Sequence, residues 1–160
     1  MENIVTENKK YVVNVYTKYI NNNFGLFVHN YLSIPYLQLE IHPGRFRFGS
    51  HHSLGKFKKN SYCNKSMLFC KDCLNLLLIQ SRDMENLWWF PIMNCETLTR
   101  GLTQHLPISY QTIIITGIFT TFIIGIQEPY FFILTFILIV MLVLYNNNNF
   151  KMLKDTCVHL

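Results

Sequence analysis

The sequence predicts a membrane protein in which a small, in part irregular α+β head is followed by a C-terminal two-helix transmembrane hairpin. The first observation is that residues 108–145 carry one formally charged side chain, Glu128. So long an apolar run exceeds what the core of a 160-residue chain accommodates, which indicates lipid as its solvent. Pro107 and Pro129 each stand at the start of one half of this run, and strand-like segments precede it.

The head, residues 1–107, begins with strand-like pieces between residues 11 and 48. β-branched and aromatic residues form these pieces, and Asn21–Asn23, Pro35 and Pro43-Gly44 separate them. We therefore expect a small antiparallel meander in this part of the chain.

A basic loop is predicted over residues 44–65. Its first sixteen residues combine five cations with three aromatic rings and contain no acid. These side chains are Arg45, Phe46, Arg47, Phe48, Lys56, Phe57, Lys58 and Lys59. Interleaved cations and rings bind phosphate-bearing groups, and beside a membrane hairpin we expect anionic lipid headgroups or a protein partner rather than nucleic acid. A solvated loop without a specific partner is the alternative.

Two apolar segments follow the basic loop. Residues 66–80 predict an amphipathic helix that is too short to span a bilayer. Residues 87–93 form an aromatic juxtamembrane segment in which Trp88 and Trp89 are expected at the membrane interface. The alternative is that these rings complete a small core away from lipid.

The apolar run is predicted to form two transmembrane helices, residues 108–126 and 130–145, joined by a connector at 127–129. A single helix of this length would reach nearly twice the thickness of the hydrocarbon core, and proline ends the first helix. Three tyrosines are expected at the headgroup level, namely Tyr110, Tyr130 and Tyr145. Small and hydroxyl-bearing residues of the first span are expected to form the seam of the hairpin.

Positive charge predicts a multi-pass protein with both termini in the cytoplasm, since Arg100 precedes the hairpin and Lys151 and Lys154 lie in the polar tail, residues 146–160. The short spans suit a thin bilayer such as that of the endoplasmic reticulum. A re-entrant hairpin that enters one leaflet and returns is the alternative.

The cysteines offer two candidate sites. Cys70 and Cys73 form a CxxC pair that, together with Cys63 and His52, supplies four possible zinc ligands, whereas partly buried free thiols are the alternative. The last four residues, Cys157 to Leu160, have the form of a prenylation box with a histidine where an aliphatic residue is usual.

No catalytic motif is present, so the sequence predicts a non-enzymatic anchor, scaffold or accessory subunit, with a membrane complex as its expected partner. Two further hypotheses are an oligomeric pore or transport accessory subunit and a membrane-tethered zinc module. The chain contains no alanine and is rich in residues with AT-rich codons. A poorly constrained AT-rich reading frame is therefore a fourth hypothesis.

Overall fold

The computed structural model of the chain describes residues 10–19, 28–42, 51–56, 59–83, 94–147, 152–155 and 157. These residues form an α+β fold around one six-stranded sheet with the strand order β4-β3-β2-β1-β5-β6. The strands are β1 Tyr11–Tyr19, β2 Val28–Ile34, β3 Leu39–Ile41, β4 His51–Ser53, β5 Ser61–Phe69 and β6 Met152–Asp155. The first five pair in antiparallel fashion, and β6 joins β5 in parallel.

The sheet has one apolar face and one polar face because successive strand residues point to opposite sides. On the apolar face, Val15 pairs with Leu32, which pairs in turn with Ile41. These side chains are buried in the main core together with Val13 and Met67, which also face each other across β1 and β5. The register therefore places the alternate β-branched residues Val13 and Val15 of β1 in one continuous core.

Four α-helices lie in the described part of the chain: α1 Lys71–Asp83, α2 Cys95–Gln104, α3 Tyr110–Gly125 and α4 Phe131–Asn146. Helices α1 and α2 add Leu74, Leu77 and Leu102 to the core of the sheet. The starts of α2 and α3 are fixed by N-cap side chains, since Asn94 accepts a hydrogen bond from the Thr97 amide and Ser109 from the Thr112 amide.

The predicted helix over residues 66–80 is wrong at its start. Ser66–Phe69 belong to β5, and α1 begins at Lys71. Met67 pairs with Val13 and Phe69 with Tyr11, so the ladder with β1 decides the conformation of these apolar residues. The predicted basic loop over residues 44–65 likewise contains β4 and the first half of β5.

Helices α3 and α4 form an antiparallel hairpin with small and hydroxyl-bearing residues in its seam. Thr135 donates a hydrogen bond to Thr121 across the seam, with 2.8 Å between the two oxygens. At Gly117 an added Cβ would lie 3.3 Å from Leu138, and at Gly125 it would lie 3.0 Å from the Phe132 ring. The large apolar side chains consequently point outward, where many are exposed.

The predicted transmembrane fold is wrong. Each helix of the hairpin has 16 residues, or about 24 Å against a hydrocarbon core of about 30 Å. None of the helices that the structure describes is both long enough and apolar enough to cross a membrane. The prediction of two membrane spans and of a multi-pass membrane localisation is therefore wrong. The first span was overestimated at both ends, since α3 begins after its cap Ser109 and ends at Gly125.

One carboxylate, that of Glu96 on α2, joins the hairpin to the rest of the fold. It accepts hydrogen bonds from the Ser109 hydroxyl at 2.7 Å, from the Gln111 amide at 3.0 Å and from the Tyr145 hydroxyl. Arg100, one turn further along α2, lies 3.7 Å from the same carboxylate. The start of α3 and the end of α4 are thus held by a single side chain that is 4% exposed.

Substitution of this carboxylate should therefore loosen the whole hairpin. We expect Glu96→Gln to lower the free energy of unfolding by roughly 3 kcal/mol. The NH₂ group of glutamine would face Ser109, Gln111 or Tyr145, which donate hydrogen bonds to the carboxylate. Glu128→Gln, which makes the same change at the exposed connector, should stay within about 0.5 kcal/mol of the parent. Urea unfolding of both variants measures the difference, and equal losses would contradict the role of Glu96.

Candidate metal centre

Three thiols meet where β5 ends and α1 begins. Cys70 is the residue between these two elements, and its sulfur accepts a hydrogen bond from the Cys73 amide in the first turn of α1. Cys157 follows β6, which lies beside β5 in parallel register. Its Sγ is 3.0 Å from Cys70 Sγ and 3.2 Å from Cys73 Sγ. All three sulfurs lie within 4.8 Å of one another.

The thiols differ in acidity. Hydrogen bonding from Cys157, aided by the Cys73 amide, lowers the pKa of Cys70. The hydrogen bond with Cys157, burial and the neighbouring Cys70 raise the pKa of Cys73 to about 12. Because the thiolate is the form that binds metals, Cys70 is the member of the cluster most ready to ligate.

This cluster could hold a metal ion, and an all-thiol donor set is the kind that zinc prefers. Zinc–sulfur bonds of about 2.3 Å place tetrahedral thiolates about 3.8 Å apart. The observed separations are shorter, so a bound ion would require the sulfurs to move apart by somewhat less than an ångström. The described residues provide three ligands, which leaves one coordination position to a further group.

The structure brings together only part of the predicted zinc set. Cys63 Sγ lies near the Lys65 carbonyl and the Ser66 hydroxyl in β5. His52 lies in β4, with its ring edge-on to that of His42. Cys157, assigned from the sequence to a prenylation box, instead joins Cys70 and Cys73 and is buried. No strong local signal marks β6, because two of its four residues, Lys154 and Asp155, are charged.

Of the predicted lipid or partner contacts in the basic loop, the structure describes two. Lys56 and Lys59 lie in turns around β4 and β5. Six members of the basic cluster and both interface tryptophans lie outside the described residues: Arg45, Phe46, Arg47, Phe48, Phe57, Lys58, Trp88 and Trp89.

The three predicted interface tyrosines lie at opposite ends of the hairpin. Tyr110 and Tyr145 lie together at the base, where their rings meet edge to face at 6.0 Å. Tyr130 lies 81% exposed in the connector at the other end. Burial raises the pKa of Tyr145, which keeps its hydroxyl protonated as a donor to Glu96.

The polar face of the sheet carries a row of buried ionisable groups that sequence reasoning did not assemble. His29 Nε2 lies 3.0 Å from His42 Nδ1, and His42 Nε2 lies 3.5 Å from a Glu40 carboxylate oxygen. The other Glu40 oxygen accepts a hydrogen bond from the Gly55 amide. The rings of Tyr31 and His42 stack at 4.5 Å. Only the register of β2 on β3 places these residues side by side.

This row consists of neutral imidazoles beside a carboxylate. Burial, with Lys18 nearby, lowers the pKa of His29 to about 4, and burial also lowers the pKa of His42 to about 3. When the Glu40 carboxylate accepts a hydrogen bond from His42 Nε2–H, the neutral His42 ring has no proton on Nδ1. That Nδ1 atom can then accept a hydrogen bond from His29 Nε2–H. The described residues place no nucleophile in this chain of hydrogen bonds, so the row supports the sheet.

The fold and the thiol cluster define a class: a small α+β protein with a six-stranded sheet, an apolar helical hairpin and a candidate metal centre. The chain belongs to the family described as Baculoviridae AC81, whose model matches residues 2–160. No curated protein and no solved structure matches the chain.

The buried histidine row predicts that the protein loses stability in mild acid. A histidine whose folded-state pKa lies below its unfolded value of about 6.5 contributes stability above pH 6.5 that is lost as the pH falls toward the folded pKa. For His29 this amounts to about 2 kcal/mol between about pH 7.5 and pH 5. Urea unfolding at both pH values measures it.

The variant His29→Gln should reduce this pH dependence by that amount, whatever its effect on stability at neutral pH. The matched control is His105→Asn, which removes an exposed histidine at the end of α2 and should leave the dependence unchanged. An unaltered pH dependence of the unfolding free energy in His29→Gln would contradict this prediction. It would show that His29 binds no more protons in the unfolded state than in the folded state over this pH range.

Proposed function

We propose that this protein is a non-enzymatic scaffold that assembles through the outward face of its α3–α4 hairpin. The observation that carries the proposal is the exposed apolar surface of that hairpin. Ten large side chains there are about half exposed or more: Tyr110, Ile113, Phe119, Phe122, Ile123, Ile133, Phe136, Ile137, Met141 and Leu144. Contiguous apolar surface of this extent on a folded domain usually marks an interaction site.

The area is sufficient for a stable interface. If each of these side chains exposes roughly 90 Å², the outward face offers on the order of 900 Å². A standard interface buries about 800 Å² on each partner. The small residues in the seam contribute to this surface indirectly, because they let the helices approach and turn the large side chains outward.

A second copy of this chain is the occupant that we propose. The outward face of both helices lacks formal charge, so it demands no charged counterpart and is complementary to itself. A two-fold axis would place the same patch on both subunits and bring two hairpins into a four-helix arrangement. Gln127 and Glu128 at the tip favour a protein partner over insertion of the hairpin along its axis into lipid, where a carboxylate is costly.

Self-association is tested by light scattering of the full chain across a range of protein concentrations. We expect a concentration-dependent rise from monomer to dimer or higher oligomer. Ile123→Gln combined with Ile133→Gln should shift the protein to monomer, because both residues lie on the outward face and each is 64% exposed. Ile79→Gln is the matched control, since Ile79 is 59% exposed on α1, and it should still associate.

A parent protein that stays monomeric at about 100 μM would contradict the proposal, because an interface of this area should associate well below that concentration. Binding of the monomer to vesicles or to a different protein through the same residues would likewise replace the second copy as the occupant. Association of the double variant at the strength of the parent would place the interface elsewhere.

The thiol cluster supports a second proposal, that zinc bound by Cys70, Cys73 and Cys157 fastens the segment after β6 to the start of α1. Zinc that closes such a site contributes directly to folding. β6 is an edge strand of four residues, so a metal tie next to it would stabilise a pairing that is otherwise short. In this proposal the metal has a structural role.

Metal analysis of the purified full chain tests the zinc proposal. We expect about one zinc per chain in the parent and in Cys63→Ser, and less than a fifth of that in Cys70→Ser combined with Cys73→Ser. Cys63 is the matched control because it lies in β5 outside the cluster. A parent that remains metal-free after exposure to zinc, or a disulfide between Cys157 and Cys70 or Cys73 in the native protein, would overturn the assignment.

A further inference from the structure

The parallel pairing of β5 with β6 brings two thiols side by side. The ladder between these strands ends at the pair of Leu68 and Asp155, and Cys70 and Cys157 each follow that pair by two positions. Adjacent strands lie about 4.8 Å apart, which is within the range of about 4.4–6.8 Å between Cα atoms that a disulfide requires. The fold therefore supplies the spacing for a bond between Cys70 and Cys157.

The sulfur atoms of this pair are already in contact. Cys157 Sγ lies 3.0 Å from Cys70 Sγ and 3.2 Å from Cys73 Sγ. A disulfide bond is about 2.05 Å long, so the first pair would have to approach by about 1 Å. Zinc requires the opposite movement, because thiolates around a tetrahedral ion lie about 3.8 Å apart. A sulfur in a disulfide is also no longer the thiolate that binds a metal, so the two states exclude each other.

The thiols of the cluster differ in exposure. Cys70 and Cys73 are partly exposed, whereas Cys157 is buried. A reagent from solution therefore reaches Cys70 more readily than Cys157. Once Cys70 has reacted, Cys157 is close enough to attack its sulfur and displace the reagent, which is how a second thiol resolves a mixed disulfide.

We propose that Cys70 and Cys157 form a reversible disulfide with a small-molecule disulfide of the glutathione type as oxidant, and that this bond and zinc are alternative states of the thiol cluster. The bond itself rests on the geometry of the thiols, whereas its competition with zinc rests on the zinc proposal. The bond joins residues 87 positions apart. It would tie the segment after β6 to the start of α1 without a metal.

Two exchange steps form the bond. The Cys70 thiolate attacks one sulfur of the reagent, the sulfur–sulfur bond of the reagent breaks, and one thiolate leaves. The Cys157 thiolate then attacks Cys70 Sγ, the bond between Cys70 and the reagent breaks, and the second thiolate leaves. The protons of the two cysteines pass through solvent to the two leaving thiolates. The cysteine pair loses two electrons and the reagent gains two.

Peptide mapping by mass spectrometry under non-reducing conditions tests the pairing in the full chain. The protein is stripped of metal with a chelator, treated with about 5 mM oxidised glutathione and then alkylated. We expect Cys70–Cys157 to be the main disulfide of the folded protein. In urea the main product within one chain should be Cys70–Cys73, because closing a loop of 87 positions costs an unfolded chain more entropy than closing one of 3.

Three substitutions locate the bond. Cys157→Ser should lose it. Cys73→Ser should keep it, although this variant lacks a proposed zinc ligand. Cys63→Ser is the matched control in β5 outside the cluster, and it should form the bond to the same extent as the parent.

Release of zinc tests the competition between the two states. Oxidised glutathione should release about one zinc from the zinc-loaded parent for each Cys70–Cys157 bond that forms, and a chromogenic chelator measures the released metal. Zinc that stays bound while the bond forms would contradict the competition.

The disulfide is overturned if the folded, metal-free protein keeps its thiols or stops at the mixed disulfide with glutathione. Cys73 in place of Cys70 as the main partner of Cys157 would overturn it as well. A parent that forms the bond but binds no zinc contradicts the zinc proposal and the competition, and it leaves the disulfide standing. A parent that binds zinc but never forms the bond contradicts the disulfide alone.

Discussion

The buried carboxylate of Glu96 is the interaction on which the arrangement of this protein depends. It accepts hydrogen bonds from the cap residue of α3, from a backbone amide in the first turn of α3 and from the last tyrosine of α4. Both helices of the hairpin are consequently fixed against α2, which packs on the sheet through Leu102. The Tyr62 hydroxyl adds a hydrogen bond from β5 to the Asn146 carbonyl at the end of α4. An apolar hairpin is thereby held at one end and exposed along its length.

This arrangement separates three kinds of chemistry. The outward face of the hairpin is apolar and extended, which suits association with a protein surface. The thiols gather at the junction of β5 and α1, where a metal would tie a short edge strand. A cavity at the base of the hairpin is lined by side chains of the sheet, of α2 and of both helices of the hairpin, and these include charges of both signs. Glu96 contributes to the first and the third, because it positions the hairpin and lines the cavity.

Local sequence signals predicted the positions of helices and strands better than they predicted the surroundings of the two apolar helices. Prolines and apolar composition indicated two helices, and α3 and α4 lie almost wholly within the segments 108–126 and 130–145. The inference from apolarity to a membrane failed because each helix of the hairpin has only 16 residues, and the cap at Ser109 starts the first helix two residues later than predicted. β1 to β3 lie within residues 11–48, where β-branched and aromatic residues predicted strands. Ser66–Phe69, which were predicted to be helical, instead form part of a strand because they pair with β1.

The thiol cluster, the histidine row and the Glu96 contacts could not be predicted from the sequence, because each joins residues that are far apart in the chain. Cys157 lies 87 positions from Cys70, and no local pattern connects them. His29 and His42 meet through the register of β2 on β3. Glu96 reads from sequence as an ordinary acid in the first turn of a helix. Its burial arises from the return of α4 to the head.

The attachment and assembly of the hairpin are tested most directly by amide hydrogen exchange of the full chain at protein concentrations of about 2 μM and 200 μM, which bracket ordinary association strengths. We expect amides of α3 and α4 to exchange more slowly at the higher concentration while those of β1, β2 and α1 stay unchanged. The first turn of α3 should be protected at both concentrations, since Glu96 accepts a hydrogen bond from the Gln111 amide. Hairpin amides that exchange rapidly and equally at both concentrations would contradict both the attachment and the assembly.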